Sequence, residues 1–208
     1  MPDQVVSALG LKKGEVVADI GAGGGYFTMR LARAVGPQGK VYAVDILPKA
    51  VDSIERHARN EQLTNIEVIV SRKDDPLLPA GSVDVAFFCE TIHEIDDRVP
   101  FYRKVRAAMK KAGRMVLIDS APMNGAAEGR QVSRATAVRE AEAAGFRLIR
   151  EEKFLRSSTS SSSGRSISER RDCPDGALAC GVGGEEGAVK HLWLTPLHIH
   201  GNGVARLV

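Results

Sequence analysis

The segment Val17-Ala18-Asp19-Ile20-Gly21-Ala22-Gly23-Gly24-Gly25-Tyr26 decides the fold of this 208-residue chain. An apolar run leads into four glycines among five residues, and residues 26–35 then follow helical spacing up to Gly36-Pro37. A glycine-rich turn between a strand and a helix lets a ligand approach the backbone closely. In an open α/β sheet such a turn lies at the carboxyl ends of the strands, where ligands bind. The segment therefore predicts a ligand-binding turn, and a tight turn that merely needs glycine is the alternative.

The same alternation of strand and helix patterns continues to about residue 156. Strands are predicted at 15–20, 40–46, 66–70, 83–89, 114–119 and 146–154. Helices are predicted at 26–35, 48–60, 98–111 and 130–144. This order is typical of a parallel sheet covered by helices on both faces. We therefore expect one α/β domain over residues 1–156, with a doubly wound, mostly parallel sheet.

The composition changes after Arg156. Residues 157–163 are serine and threonine only, and residues 164–208 contain eight glycines with no sustained periodicity. Such a segment buries too little apolar surface to offset its ordering entropy, so residues 157–208 are predicted to be a weakly structured tail. A shifted reading frame near codon 156 would explain the serine run, because UCN serine codons read one nucleotide earlier become codons for apolar residues. A natural Ser/Gly-rich extension is the alternative.

Composition excludes several classes of protein. No apolar run approaches the roughly 18–20 residues of a membrane span, so none is expected. A net charge of +3 and 5% aromatic residues give no reason to expect a nucleic-acid partner. The three cysteines form no disulfide framework, and the sequence has no secretory signal pattern. We therefore expect a cytoplasmic protein.

The acid within the glycine turn distinguishes two kinds of ligand. A dinucleotide fingerprint requires G-x-G-x-x-G, but from Gly21 the sixth position is Tyr26. The pattern present is Asp19-x-Gly21-x-Gly23-x-Gly25. A carboxylate in this turn would repel a pyrophosphate and would suit a cationic or amino-bearing ligand. An NAD(P)-dependent oxidoreductase is therefore the less favoured alternative.

A second acid, Asp45, ends the next predicted strand. A carboxylate at that position can accept hydrogen bonds from both hydroxyls of a ribose. The alternative is a helix N-cap, because Asp45 precedes Pro48 by three residues.

With these motifs the chain resembles the class I S-adenosylmethionine-dependent methyltransferases, especially the small bacterial type 11 group related to ubiquinone/menaquinone methyltransferases. The resemblance covers roughly residues 2–155. It lies in four stretches: 19–28, 41–45, 74–84 and 109–116. The last stretch departs from the family pattern at Lys111 and Ala112. The resemblance implies a Rossmann-like fold and S-adenosyl-L-methionine as co-substrate, with no metal.

The resemblance also implies cofactor-binding roles for individual residues. Asp19 and the backbone of Gly21 and Gly23 would hold the methionine part, while Asp45 would hold the ribose. The remaining cofactor-binding candidates are Gly25, Ile46 against the adenine, Asp74 or its neighbour Asp75 at the adenine amino group, and Cys89. A polar turn before Pro76 is the other interpretation of the two adjacent acids.

The stretch Cys89–Arg98 follows the fourth strand and would face the methyl acceptor. His93 matches a family histidine and can act as a base near neutral pH, and Glu90 can bind or polarise the acceptor. The alternative is that both residues brace the loop. One histidine among acids is not a zinc spacing, so we expect no metal.

We therefore predict methyl transfer to a small organic acceptor. The family sheet ends with an antiparallel strand beside the sixth strand, and the serine run stands where that strand should begin. The strand is therefore predicted to be lost or replaced. A defective methyltransferase that only binds S-adenosylmethionine is a further alternative.

Overall fold

The computed structural model describes residues 2–120, 132–149, 152–154 and 192–199. Its α-helices are α1 (Pro2–Ala8), α2 (Thr28–Val35), α3 (Pro48–Asn60), α4 (Arg98–Ala108) and α5 (Arg134–Ala143). Its strands are β1 (Val16–Ile20), β2 (Lys40–Asp45), β3 (Ile66–Val70), β4 (Val83–Cys89), β5 (Met109–Ser120), β6 (Phe146–Leu148), β7 (Glu152–Phe154) and β8 (Leu192–Ile199). A short 3₁₀ helix, Ile92–Glu94, follows β4.

The strands form one sheet in the order β3-β2-β1-β4-β5-β8-β6, and β7 also pairs with β8. All pairings among β1 to β5 are parallel. From β1 the chain builds outward to β3 on one side and then crosses to β4 on the other. The doubly wound, mostly parallel sheet is thus confirmed, and its switch point lies between β1 and β4.

Successive strand residues enter cores on opposite faces of the sheet. Val17 and Phe87 pack with α1 and α2, whereas their neighbours Ala18 and Phe88 pack with α4 and α5. All four side chains are fully buried. This two-residue alternation within continuous apolar strands is expected for a sheet covered on both faces. It holds the carboxyl ends of β1, β2 and β4 at one rigid edge.

The prediction that the final antiparallel strand is lost or replaced is corrected by β8. Residues 192–199 pair antiparallel with β5 on one side and with β6 and β7 on the other. The prediction placed this strand directly after the sixth, but it comes from the segment predicted to be a weakly structured tail. Pro196 of β8 has no N–H to donate to a neighbouring strand. The pairing of β8 with β6 ends at Leu197 and its pairing with β7 ends at Leu194, so Pro196 lies in the gap between these two pairings.

Two predicted boundaries also shift. The helix expected to reach residue 111 ends at Ala108, because β5 already begins at Met109. The β4–β5 register jumps from Val83–Met109 to Val85–Arg114, so the extra residues of β5 form a bulge. The predicted sixth strand is divided into β6 and β7. The serine run and the possible frameshift lie outside the described residues, and the domain boundary at residue 156 stays a prediction.

Truncating the chain tests the place of β8 in the sheet. Ending the chain after Arg156 removes β8 and leaves the backbone groups of β5 without their partner strand. We expect a lower melting temperature and aggregation, measured by thermal unfolding and light scattering. Ending it after His200 keeps β8 and is the matched control, expected to melt like the full chain. A chain ending at Arg156 that melts like the full chain would show that β8 contributes nothing to the sheet.

Candidate functional site

A cavity of about 710 Å³ opens at the carboxyl ends of β1, β2, β3 and β4. It therefore lies beside the topological switch point, where open α/β sheets bind ligands. Of the predicted site residues, it is lined by Gly21, Asp45, Ile46, Glu90 and His93. Its other lining residues are Ile20, Leu47, Ser71, Arg72, Lys73, Thr91, Glu94, Ile95, Asp96, Arg98, Phe101 and Val132.

The glycine turn is closely packed at one position and open at another. Gly21 has φ +75°, and a Cβ there would clash with the Thr91 side chain. Gly23 has φ +53°, and a Cβ there would meet no atom within 4 Å. Both positions favour glycine by conformation. Gly21 lines the cavity, whereas Gly23 does not line it but has open space where a side chain would be.

The amides of this turn are already engaged by β2. The N–H groups of Gly21 and Ala22 donate to the Val44 carbonyl at 2.8 and 3.1 Å. The N–H of Gly23 donates to Asp45 Oδ2 at 2.8 Å. A pyrophosphate needs such amides as donors and avoids a carboxylate beside them. The turn is therefore unsuited to a dinucleotide. The N–H groups of Gly21 and Gly23 are likewise engaged within the protein, and the role that the resemblance implies for the backbone of these glycines stays a prediction.

Asp45 is almost completely buried, yet it lies on the cavity wall. Its Oδ1 accepts from the Leu47 N–H at 2.9 Å. The N-cap of α3 is Leu47, with no side-chain capping bond, so Asp45 is not the helix cap considered above. A carboxylate oxygen offers two lone pairs, and each oxygen of Asp45 uses one in these bonds. Asp45 can therefore still accept from two hydroxyls, while the exposed Ile46 and Leu47 present apolar surface beside it.

Asp19 is buried beneath the turn and does not line the cavity. Its Oδ2 accepts from the Thr28 hydroxyl at 2.6 Å. Burial raises the pKa of Asp19 to about 7; the Thr28 hydrogen bond opposes this rise and the Asp45 charge adds to it. Asp19 therefore changes its protonation state near neutral pH. Gly25 also lies outside this cavity, where a Cβ would approach Ile54 and Met29 to 3.1 Å.

Asp74 and Asp75 are placed away from the cavity. Lys104 Nζ lies 2.9 Å from Asp74 Oδ2 and 3.4 Å from Asp75 Oδ2. Asp75 also accepts from the Leu77 N–H, as in the polar turn considered above. The part of the cavity after β3 is instead lined by residues 71–73. An adenine role for either acid stays a prediction that these contacts do not favour.

The acceptor-side residues follow β4. Glu90 has φ +52°, a left-handed conformation that is rare outside glycine, and its N–H donates to the Ile118 carbonyl at 2.8 Å. His93 lies in the 3₁₀ helix and lines the cavity. Cys89 does not line it, and burial, with nearby acidic charges, raises the pKa of its thiol to about 12. Cys89 is therefore a neutral thiol and not a nucleophile at neutral pH.

Sequence reasoning missed Asp119. This buried acid lies near the end of β5, and His93 Nδ1 lies 3.1 Å from both of its carboxylate oxygens. The signal was available, because an acid near the carboxyl end of an apolar parallel strand reaches the same sheet edge as Asp45. The contact itself joins residues 26 positions apart in the chain, and no local pattern predicts it.

Candidate ligand atoms of Glu90, His93 and Asp119 all lie within 4.8 Å of one another. A divalent cation is compatible with one imidazole and two carboxylates. The absence of a metal therefore stays an expectation. Among the described residues, no helix has the length and apolarity to cross a membrane.

Comparisons with known proteins agree with this geometry. A family profile described as "Methyltransferase domain" matches residues 11–163, well over half of the chain. Demethylmenaquinone methyltransferase from Geobacillus sp. (strain WCH70) is 22% identical over 118 residues, which cover 57% of this chain and 50% of that protein. The ubiquinone/menaquinone biosynthesis C-methyltransferase UbiE of Hahella chejuensis is 28% identical over 121 residues, which cover 55% of this chain and 47% of that protein. This chain thus spans about half the length of these curated relatives.

Solved structures share the fold. A SAM-dependent methyltransferase from Aquifex aeolicus superposes with a TM-score of 0.72 at 22% identity, covering 95% of this chain and 89% of that one. At this identity the likeness shows the fold alone. The profile match over residues 11–163 shows that the chain belongs to the methyltransferase domain family, and its fold is shared with that S-adenosylmethionine-dependent methyltransferase.

Proposed function

We propose that the chain transfers the methyl group of S-adenosylmethionine to a small organic acceptor. The observation that carries this proposal is Asp45: it lies on the cavity wall, and Gly23 donates to it within a turn whose amides are already used. Such a turn accepts hydroxyl groups and disfavours a phosphate beside Asp45. This matches a nucleoside that carries a cationic amino acid and no phosphate.

The cofactor half of the site would be built by the turn and the end of β2. Asp45 would bind the ribose hydroxyls, and Ile46 would cover one face of the adenine. Gly21, on the cavity wall, would admit the ligand to the backbone, while Asp19 would lie beneath the methionine part and act through its charge. S-adenosylmethionine, when bound, supplies a methyl group already activated on a sulfonium.

The acceptor half would be formed by Glu90 and His93. Because the methyl donor is activated, most of the catalytic effect comes from positioning the two reactants, with effective molarities of about 10⁵ M or more. Glu90 would bind or polarise the acceptor, and His93 would accept its proton where one must leave. Both residues line the same cavity as Asp45, so donor and acceptor would share one enclosure.

Two alternatives use the same cavity. An NAD(P)-dependent oxidoreductase is disfavoured by the engaged amides of the turn and by Tyr26 at the sixth position. A non-catalytic S-adenosylmethionine binder would keep Asp45 and need neither Glu90 nor His93. Detecting S-adenosylhomocysteine during incubation with candidate acceptors separates a methyltransferase from such a binder.

Asp45→Ala tests the ribose contact. The substitution removes two charge-assisted hydrogen bonds, each worth roughly 1.5–3 kcal/mol. S-adenosylmethionine affinity should fall about a hundredfold or more, measured by calorimetry. Asp45→Asn should lose less, because its carbonyl still accepts one bond.

Two matched acids control this experiment. Asp52 is an exposed acid on α3, and Asp74 is paired with Lys104. Asp52→Ala and Asp74→Ala should each change affinity by less than about threefold, well under one strong hydrogen bond. An unchanged affinity in Asp45→Ala would remove Asp45 from the site. A hundredfold loss in Asp74→Ala would instead restore its adenine role.

The raised pKa of Asp19 predicts that binding of S-adenosylmethionine releases a proton. The Asp19 pKa is about 7 in the free protein, and a cationic amino group bound nearby would lower it. Binding should therefore strengthen as pH rises towards 7, by up to about tenfold per pH unit, and should level off above it. Calorimetry at pH 6.5 in two buffers of different ionisation enthalpy measures the released proton. Asp19→Asn should abolish the release, and the same proton count in that variant would contradict this role.

The left-handed backbone at Glu90 predicts a stability difference between two variants. Glu90→Gly and Glu90→Ala both remove the carboxylate, but only glycine adopts φ +52° without strain. The glycine variant should be more stable than the alanine variant by about 1 kcal/mol, measured by denaturant unfolding. Both should bind S-adenosylmethionine within about twofold of the wild type, a difference too small for a lost hydrogen bond. Equal stabilities would show that the site holds no backbone strain at Glu90.

A further inference from the structure

We propose that Asp119 is a positioning residue that keeps the proton of neutral His93 on Nδ1, leaving Nε2 to accept a proton from the methyl acceptor. The acceptor would then be a proton-bearing nucleophile, such as a hydroxyl or an acidic C–H group. This inference rests on the proposed function and deepens it, because it assigns a chemical class to the acceptor.

The geometry of the pair supports this role. His93 Nδ1 lies 3.1 Å from Asp119 Oδ1 and 3.1 Å from Asp119 Oδ2, so one N–H can be shared between both oxygens. The Asp119 side chain is only 4% exposed, whereas that of His93 is 25% exposed. A buried carboxylate is costly unless it is hydrogen-bonded, which favours the tautomer that donates from Nδ1.

The other ring nitrogen faces a different environment. Nε2 lies 3.7 Å from Glu94 Oε1, beyond hydrogen-bond distance, and the ring lines the cavity shared with Asp45. The 3₁₀ helix Ile92–Glu94 holds His93 on one side, and β5 holds Asp119 on the other. The pair therefore bridges the ends of two neighbouring strands, and the imidazole orientation follows from the sheet.

With His93 Nε2 as the proton acceptor, every atom and electron pair of the methyl transfer is accounted for. The acceptor X–H gives its proton to Nε2 as the electron pair on X forms the bond to the methyl carbon. The electron pair of the broken C–S bond returns to sulfur, which becomes a neutral thioether. The products are the methylated acceptor, S-adenosylhomocysteine and an imidazolium. The Asp119 carboxylate stabilises that imidazolium until its proton passes to water.

Nitrogen-15 NMR of the imidazole tests the positioning role without any acceptor. His93 signals are assigned by their loss in His93→Gln. We expect neutral His93 to carry its proton on Nδ1 in the wild type and to lose that preference in Asp119→Asn. Glu94→Gln is the matched control and should leave the tautomer unchanged. Protonation at Nε2 in the wild type, or an unchanged tautomer in Asp119→Asn, would overturn the proposal.

Turnover tests the acceptor class. With a panel of hydroxyl and acidic C–H acceptors, Asp119→Asn and His93→Gln should form S-adenosylhomocysteine roughly a hundredfold more slowly than the wild type. S-adenosylhomocysteine affinity should stay within about twofold in both variants, since neither residue is assigned to the cofactor half. If the wild type bound no S-adenosylhomocysteine, the proposed function would fail while the NMR result still decided the tautomer. If thioethers or tertiary amines were the methylated acceptors, at equal rates in wild type and Asp119→Asn, the inference would be overturned.

A metal titration tests the alternative that His93 is a metal ligand. If His93 were a metal ligand, it could not serve as the base. Mn²⁺ is therefore titrated into the wild type, His93→Gln, Glu90→Gln and the control Asp96→Asn, which changes another acid of the same cavity. We expect no Mn²⁺ site that is lost in both His93→Gln and Glu90→Gln but retained in Asp96→Asn. Such a site would replace the proton-acceptor role with metal coordination by Glu90, His93 and Asp119.

Discussion

The hydrogen bond from the Gly23 N–H to Asp45 Oδ2 is the interaction on which the rest of the site depends. It joins the turn after β1 to the end of β2, beside the N–H groups of Gly21 and Ala22, which donate to the Val44 carbonyl. These bonds tie the turn to β2 and place a negative charge where a dinucleotide-binding turn offers amides to phosphate. The same bonds that build the turn therefore restrict its ligand chemistry.

Much of this arrangement could be predicted from local sequence. The run from Val17 to Tyr26 predicts both the strand and the turn, because β-branched residues favour extended backbone and closely spaced glycines allow the positive φ angles that the turn adopts. Asp45 could be placed at the same edge, since parallel strands end on one side of a sheet. The order of strands and helices was sufficient for the doubly wound sheet. The roles of individual site residues in binding and catalysis remain predictions.

The features that sequence reasoning missed depend on contacts between distant segments. β8 pairs with β5 across more than 70 residues of chain, and a short apolar run after a serine-rich segment carries little local signal. Lys104 and Asp74 are 30 residues apart in the chain, and no local pattern predicts their ion pair. His93 and Asp119 meet only because β4 and β5 are neighbours in the sheet. Local patterns thus predict elements and their ends, whereas partner choice between side chains depends on the assembled sheet.

Calorimetry of the full chain with S-adenosylmethionine and with NAD at matched concentrations tests the central claim most directly. If the turn amides are engaged by Val44 and Asp45 as described, S-adenosylmethionine should bind at one site per chain and NAD should give no binding heat. Binding of NAD as tightly as S-adenosylmethionine would contradict the account, because it would require these amides to leave Val44 and Asp45 and donate to a pyrophosphate.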